Sequence, residues 1–171
     1  MPNIKDLLTT LPQVGSVRTI LLRPAKRAAV NAVNSVQTDT EKGLVGDRYS
    51  GKSGKRQVTL IQDEHLQSVA GFLGRTEIDP TLLRRNIVVS GINLLALKDK
   101  KFQIGEAILE YTGLCHPCSR MEENLGAGGY NAVRGHGGIT ARVLTAGVIR
   151  TGDEVRAIVP ESDIASQTDI K

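Results

Sequence analysis

Residues 46–61 read Gly-Asp-Arg-Tyr-Ser-Gly-Lys-Ser-Gly-Lys-Arg-Gln-Val-Thr-Leu-Ile, and they admit two incompatible folds. The first eight match the phosphate-loop pattern G-x-x-x-x-G-K-[ST] letter for letter. Such a loop works because a helix starts directly behind it and lends the aligned N–H groups of its first turn to the phosphates. Here Ser53 is followed by Gly54-Lys55-Arg56 and then by the β-branched run 57–61, so no helix begins at Lys52-Ser53. The stretch reads as a loop feeding a strand, and nucleotide hydrolysis loses its structural support. The Gly-rich segments 126–129 and 135–138 fail similarly, because neither stands in the order strand, Gly-x-Gly-x-x-Gly, helix. Both read as mobile or tightly turned loops.

The composition of 57–61 recurs at 14–22, 86–90, 107–112, 139–144 and 154–159, mostly bounded by Gly or polar turn residues. A helix is predicted over 63–72, where Leu66, Val69, Ala70 and Leu73 keep three-and-four spacing and Gly74 stops it. A second is predicted from Pro117, as its first residue, through Met121 and Leu125 to Gly126. Short strands at irregular spacing, with few helices and no regular strand–helix alternation, predict a mainly β fold: a compact β-barrel with a few short helices.

The 171 residues, 40% of them hydrophobic, suit one domain with its own core. That domain is expected over 1–160, with 161–171 as a polar, loosely docked or disordered tail. Apolar runs such as Leu94-Leu95-Ala96-Leu97 are far shorter than the roughly 20 residues of a membrane span. Without a secretory-type start at Met1-Pro2-Asn3, the expected compartment is the cytoplasm, and no membrane partner is expected. Lys and Arg number 22 against 18 Asp and Glu, a mild excess that favours anionic ligands without deciding anything. Five aromatic residues, Phe72, Phe102, Tyr49, Tyr111 and Tyr130, offer few stacking platforms, which disfavours nucleic acid.

Cys115-His116-Pro117-Cys118 is the segment with the most chemistry. Two cysteines in a reducing compartment do not staple a fold, so a separation of two residues points to thiol chemistry or metal binding. With the helix starting at Pro117, Cys118 would sit in its first turn, where free N–H groups and the dipole favour thiolate. His116 and Arg120 add positive charge; Glu122 and Glu123 work against it. Three other readings compete. The cysteines can simply pack. They can bind zinc with His116, His65 or His136, although no second close ligand pair exists. They can exchange disulfides, although the β-α-β context of that chemistry is missing.

Candidate anion ligands are Arg48, Arg56, Arg134, His136 and Arg142, at Gly-rich or strand-edge positions, together with Arg84-Arg85-Asn86 ahead of an apolar strand. Strand alternation would put Arg84 and Asn86 on one face and Arg85 on the other. For any single arginine, ordinary solvated surface is the competing reading.

Taken in order, Gly43-Leu44-Val45-Gly46-Asp47-Arg48, Arg56-Gln57-Val58-Thr59-Leu60-Ile61, Arg84-Arg85-Asn86-Ile87-Val88-Val89-Ser90-Gly91, Pro117-Cys118 and Gly138-Ile139-Thr140-Ala141-Arg142-Val143-Leu144 resemble the small stand-alone bacterial form of the MOSC domain, named for the C-terminal domain of molybdenum-cofactor sulfurases. The resemblance covers most of the chain and implies a strand-rich barrel. It also implies a cysteine, best matched by Cys118, that carries sulfur as a persulfide or ligates molybdenum in a pterin cofactor. Cys118, with Cys115 as an ambiguous second thiol, is then the catalytic candidate. Arg48, Arg84, Arg85, Asn86, Arg142 and His136 are the candidates for holding molybdopterin. The implied activities are sulfur transfer and cofactor-dependent reduction of N-hydroxylated small molecules. No second domain is present in the chain, so a pyridoxal-phosphate-linked desulfurase or an external electron donor must supply sulfur or electrons. The rivals are a non-catalytic metal- or cofactor-binding module and a thiol-disulfide oxidoreductase. Substrate and oligomeric state stay open.

Overall fold

The computed structural model describes residues 1–49 and 51–160, so the tail expected at 161–171 lies outside the described residues. After a short helix α1 (Ile4–Thr9), the chain forms β1 (Gly15–Leu22), β2 (Asn31–Val33), β3 (Ser35–Asp39), β4 (Gly43–Leu44) and β5 (Val58–Gln62). Then come α2 (Asp63–Phe72), β6 (Ile87–Ser90), β7 (Lys101–Ile104), β8 (Ala107–Leu114), α3 (Ser119–Leu125), α4 (Gly129–Val133), β9 (Ile139–Thr145), β10 (Val148–Arg150) and β11 (Glu154–Ile158). Two 3-10 turns cover Pro80–Leu83 and Leu94–Leu97.

Seven strands run in the order β11-β7-β8-β9-β5-β6-β1, and Gly15 of β1 pairs with Val155 of β11 to close the barrel. The expected mainly β barrel with few short helices is what forms. β5 and β6 are parallel, with Leu60 opposite Ile87, so a crossover must join them, and α2 with the Pro80–Leu83 turn makes it. No helix follows Ser53: the phosphate-loop lookalike leads into β5 at Val58. Among the described residues no helix is long and apolar enough to cross a membrane.

Two apolar clusters meet back to back through the barrel wall. Val17, Ile20, Leu60, Ile87, Phe102, Leu109 and Ile139 fill the interior. Leu21, Ile61, Val88, Leu66, Val69, Met121, Leu125 and Val133 pack the outer wall against α2, α3 and α4. β5 is buried on both faces, and this is why it reads as an unbroken apolar run.

Three expectations need correction. Pro117 does not open a helix: Cys118 is the extended N-cap and α3 starts at Ser119. The amide of Cys115 donates to the carbonyl of Gly138 and continues the β8–β9 ladder, which keeps the chain extended past Cys115. Arg84 does not belong to a strand: it caps the Pro80–Leu83 turn at φ 55°, so alternation through 84–86 does not hold. Segment 126–129 is not all loop, because Gly129 starts α4; the Glu122 carboxylate accepts the amides of Gly128 and Tyr130 and serves as its cap. Segment 135–138 is the tightly turned loop of the two readings, with Gly137 and Gly138 packed closely against backbone.

Candidate functional site

The two thiols occupy different environments. Cys115 follows β8, is 3% exposed, and has its Sγ 3.8 Å from an Nη2 of Arg56. Cys118 is exposed at the head of α3, where its carbonyl accepts the Met121 amide at 2.8 Å. The chain makes no turn between them. Both thiols are free, Cys115 in the interior and Cys118 at the surface.

Behind this segment lies Arg85, 6% exposed. Its Nε donates to the Gly137 carbonyl (2.8 Å), one Nη to that of Leu83 (2.8 Å) and the other to that of Cys115 (3.3 Å). Gly137 makes the approach possible: a Cβ there would stand 2.1 Å from the Cys115 carbonyl oxygen and 3.2 Å from Arg85 Nη2. At Gly138, with φ +85°, a Cβ would meet the Leu60 carbonyl oxygen at 1.8 Å. Burial pushes the Arg85 guanidinium below its ordinary range; the Cys115 and Cys118 sulfurs oppose that, and the charges of Arg23 and Arg56 add to it.

A cleft of about 220 Å³ is lined by Arg23, Lys26, Arg27, Arg48, Arg84 and Arg120. The backbone register gathers them. Ile20 of β1 lies opposite Ile87 of β6, which sets Arg23 beside residues 84–86, and the Arg48 amide donates to the Arg23 carbonyl at 2.7 Å. Arg84 reaches out of its left-handed turn to the Ala28 carbonyl (2.9 Å), and Arg120 enters from the first turn of α3, two residues beyond Cys118. The carboxylate at hand is Asp47, its side chain wholly buried and fully engaged by Arg23 at 2.8 Å. Burial and then repulsion from Arg120 and Arg23 lower the Arg84 pKa, with Asp47 opposing them. An anion bound in the cleft would relieve that repulsion.

The other residues singled out from sequence are placed elsewhere. Asn86 is completely buried: its Oδ1 accepts from the Thr59 amide and hydroxyl and from Arg23, and its Nδ2 donates to the Leu21 carbonyl. It joins β1, β5 and β6 and presents no atom to a ligand. Arg142 points outward from β9 and pairs with Glu110 at 2.5 Å. His136 turns toward α2, its ring 5.0 Å from His65 and stacked 5.3 Å from Phe72, and its buried Nδ1 has no hydrogen-bond partner. Burial and the charge of His136 lower the His65 pKa, against an opposing effect of Glu64. No group of three His, Cys, Asp or Glu side chains suited to a metal ion occurs among the described residues. Sequence reasoning missed Arg23, Lys26 and Arg27 as parts of this cleft, missed Asp47 as the partner of Arg23, and saw Arg120 only as a charge near Cys118. The signal available was the basic run 23–27 directly after the first strand.

The MOSC domain family matches residues 43–156 of the chain. No curated protein matches it. Among solved structures, the YuaD protein of Bacillus subtilis is similar at 20% identity and TM-score 0.74, over 89% of this chain and 100% of that one. YiiM of Geobacillus stearothermophilus follows at 18% and 0.67, over 84% and 75%. YiiM of Escherichia coli is similar at 16% and 0.65, over 85% and 70%.

Proposed function

The chain belongs to the MOSC domain family, and on that premise we propose that it binds the molybdenum cofactor and reduces small N-hydroxylated compounds with electrons from an external donor. One observation carries the reading: an exposed thiol, Cys118, heads the helix whose Arg120 lines a strongly cationic cleft. The donor set suits the group, because guanidinium forks match phosphate oxygens and a thiolate is a soft ligand for a heavy metal. Arg27, Arg48, Arg84 and Arg120 would hold the phosphate and pterin, and Cys118 would be the sulfur ligand. Bound there, the cofactor would supply the metal-centred two-electron redox chemistry of the reduction.

The chain's own part is binding and orientation. Asp47 pairs with Arg23, whose guanidinium also reaches Asn86, so Arg27, Arg48, Arg84 and Arg120 are the arginines of the cleft left to meet an incoming anion. The Cys115 amide and carbonyl are tied to Gly138 and Arg85, which fixes the start of the loop carrying Cys118. Cys115 is a spectator on this reading. A resident cofactor explains the cationic cleft better than persulfide carriage does, since a sulfur carrier alone needs no phosphate site. The proposal places the protein in the cytoplasm, where two unpaired thiols persist.

The test is expression in cells that make molybdenum cofactor, followed by measurement of bound molybdenum and pterin in wild type, Cys118→Ser, Cys115→Ser and Arg84→Gln/Arg120→Gln. Wild type and Cys115→Ser should retain both. Cys118→Ser should lose molybdenum, and the double arginine variant should lose pterin as well. Absence of both from wild type, with sulfane sulfur recovered on Cys118, would replace this reading with persulfide carriage.

A further inference from the structure

Asp47 and Arg85 both carry charge out of water, and the structure treats them differently. Asp47 is answered by Arg23. Arg85 is answered by no carboxylate among the described residues: the four ion pairs there join Arg23 to Asp47, Arg142 to Glu110, Arg150 to Glu106 and Arg156 to Glu154. Its three hydrogen bonds all go to neutral carbonyls. A buried cation compensated only by dipoles is costly, and a fold that merely needed these three carbonyls tied together had cheaper means. What Arg85 has beside it is the cysteine segment. It bonds the Cys115 carbonyl, and both sulfurs bear on its charge.

We propose that Arg85 is a positioning residue for Cys118: its buried guanidinium locks the segment that presents the thiol and puts a fixed positive charge behind it. Negative charge arising on the Cys118 sulfur, or brought there by a ligand, is then met by Arg85 on the protein side and by Arg120 on the cleft side. This moves Arg85 from ligand contact, its role by resemblance, to support of the thiol. It rests on the reading of Cys118 as the working residue, but not on which cofactor is bound. The residue type fits. A planar fork with five N–H donors reaches carbonyls at Leu83, Gly137 and Cys115 simultaneously, whereas lysine keeps the charge and loses the fork.

Alkylation by a charged and a neutral reagent separates charge from geometry. Full-length Cys115→Ser protein, in which Cys118 is the single thiol, is prepared from cells unable to make molybdopterin, so the result does not depend on the cofactor. Rates with iodoacetate and iodoacetamide are measured at low salt for this parent and with Arg85→Met, Arg85→Gln or Arg85→Lys added. A merely structural role changes both rates together and leaves their ratio alone. The proposal expects the iodoacetate:iodoacetamide ratio to fall about two- to fivefold in Arg85→Met, the effect of one charge lost at partly screened protein distances. Arg85→Lys should keep the parent ratio. Arg85→Gln, which retains two donors and no charge, should behave as Arg85→Met and stands in for it if the methionine variant does not fold. An unchanged ratio in a folded neutral variant, or an equal fall in Arg85→Lys, would overturn the assignment.

Discussion

Replacing Asp47 by Asn should cost about 3 kcal/mol of stability and make the protein more responsive to phosphate. Asp47 Oδ1 accepts the Arg23 amide (2.7 Å) and Nε (3.1 Å), and Oδ2 accepts Nη2 (2.8 Å). Removing one partner of a buried pair costs roughly 3–5 kcal/mol because the other charge is stranded. The low end applies, since the Arg23 side chain stays 21% exposed and still reaches the Arg84 carbonyl and Asn86 Oδ1. For a domain of this size that loss lowers Tm by roughly 6–12 °C. The freed Arg23 joins the cations of the cleft, and a bound anion then replaces the missing carboxylate. At about a hundredfold its Kd, a ligand returns about 2.7 kcal/mol to the folded state. Thermal unfolding of wild type and Asp47→Asn, each titrated with inorganic phosphate, gives both quantities. A variant melting within about 2 °C of wild type, or equal gains from phosphate in the two proteins, would refute the assignment of Asp47 as the cleft's internal counter-ion.

Gly138→Ala should cost at least about 3 kcal/mol or abolish soluble expression, because the new methyl meets the Leu60 carbonyl at φ +85°. Gly54→Ala, at φ +70° with open space around it, should cost only about 1–2 kcal/mol by urea unfolding; equal losses would remove the clash from the explanation. Phe102→Ala empties a fully buried position of the barrel interior, and its urea midpoint should report a loss of about 3–5 kcal/mol. His65 makes stability depend on pH, because its pKa is lowered on folding by burial and by His136. The unfolded chain then binds the proton more readily, so stability should be flat above the ordinary histidine value of 6.5, fall as pH drops below it, and level off once pH has passed through the lowered folded value. His65→Gln should flatten that slope in urea midpoints taken from pH 7.5 down to about 5.5, above the range where carboxylates titrate.

The elements legible in sequence are those whose burial leaves an unambiguous pattern. Val58-Thr59-Leu60-Ile61 is buried on both faces and α2 on one stripe, and both were located from hydropathy alone. β3 and β10 were not found: they pair with each other at the margin of the barrel, and in β3 only Val36 and Thr38 are buried. The start of α3 was misplaced by two residues because Pro117 suits a first helical turn, while the ladder bond from Cys115 to Gly138, a long-range contact invisible in local sequence, holds the chain extended. The site was legible by residue type but not by role. Arg84 and Arg85 are the same letter twice, yet one leaves a left-handed turn for the cleft and its neighbour is sealed behind Cys115. The left-handed turn at Arg84 makes that division.

The response of the cleft to mutation follows from how it is built. Its cations are assembled by backbone register, through β1 against β6, the Arg48 amide on Arg23 and the left-handed turn at Arg84, and not by pairing of their side chains with one another. Neutralising Arg48 or Arg120 therefore leaves the remaining charges where they were, and loss of Arg120 also relieves repulsion on Arg84, whereas Arg84→Gln gives up the bond to the Ala28 carbonyl as well. Single Arg→Gln variants should weaken phosphate binding by graded steps, each on the order of the 1 kcal/mol that a partly exposed charge contributes, and Arg48→Gln and Arg120→Gln should be neutral or slightly stabilising without ligand. Phosphate titrations monitored by Tm would show this. Loss of all binding on removal of one arginine would mean instead that a single fork, and not the assembled field, recognises the anion.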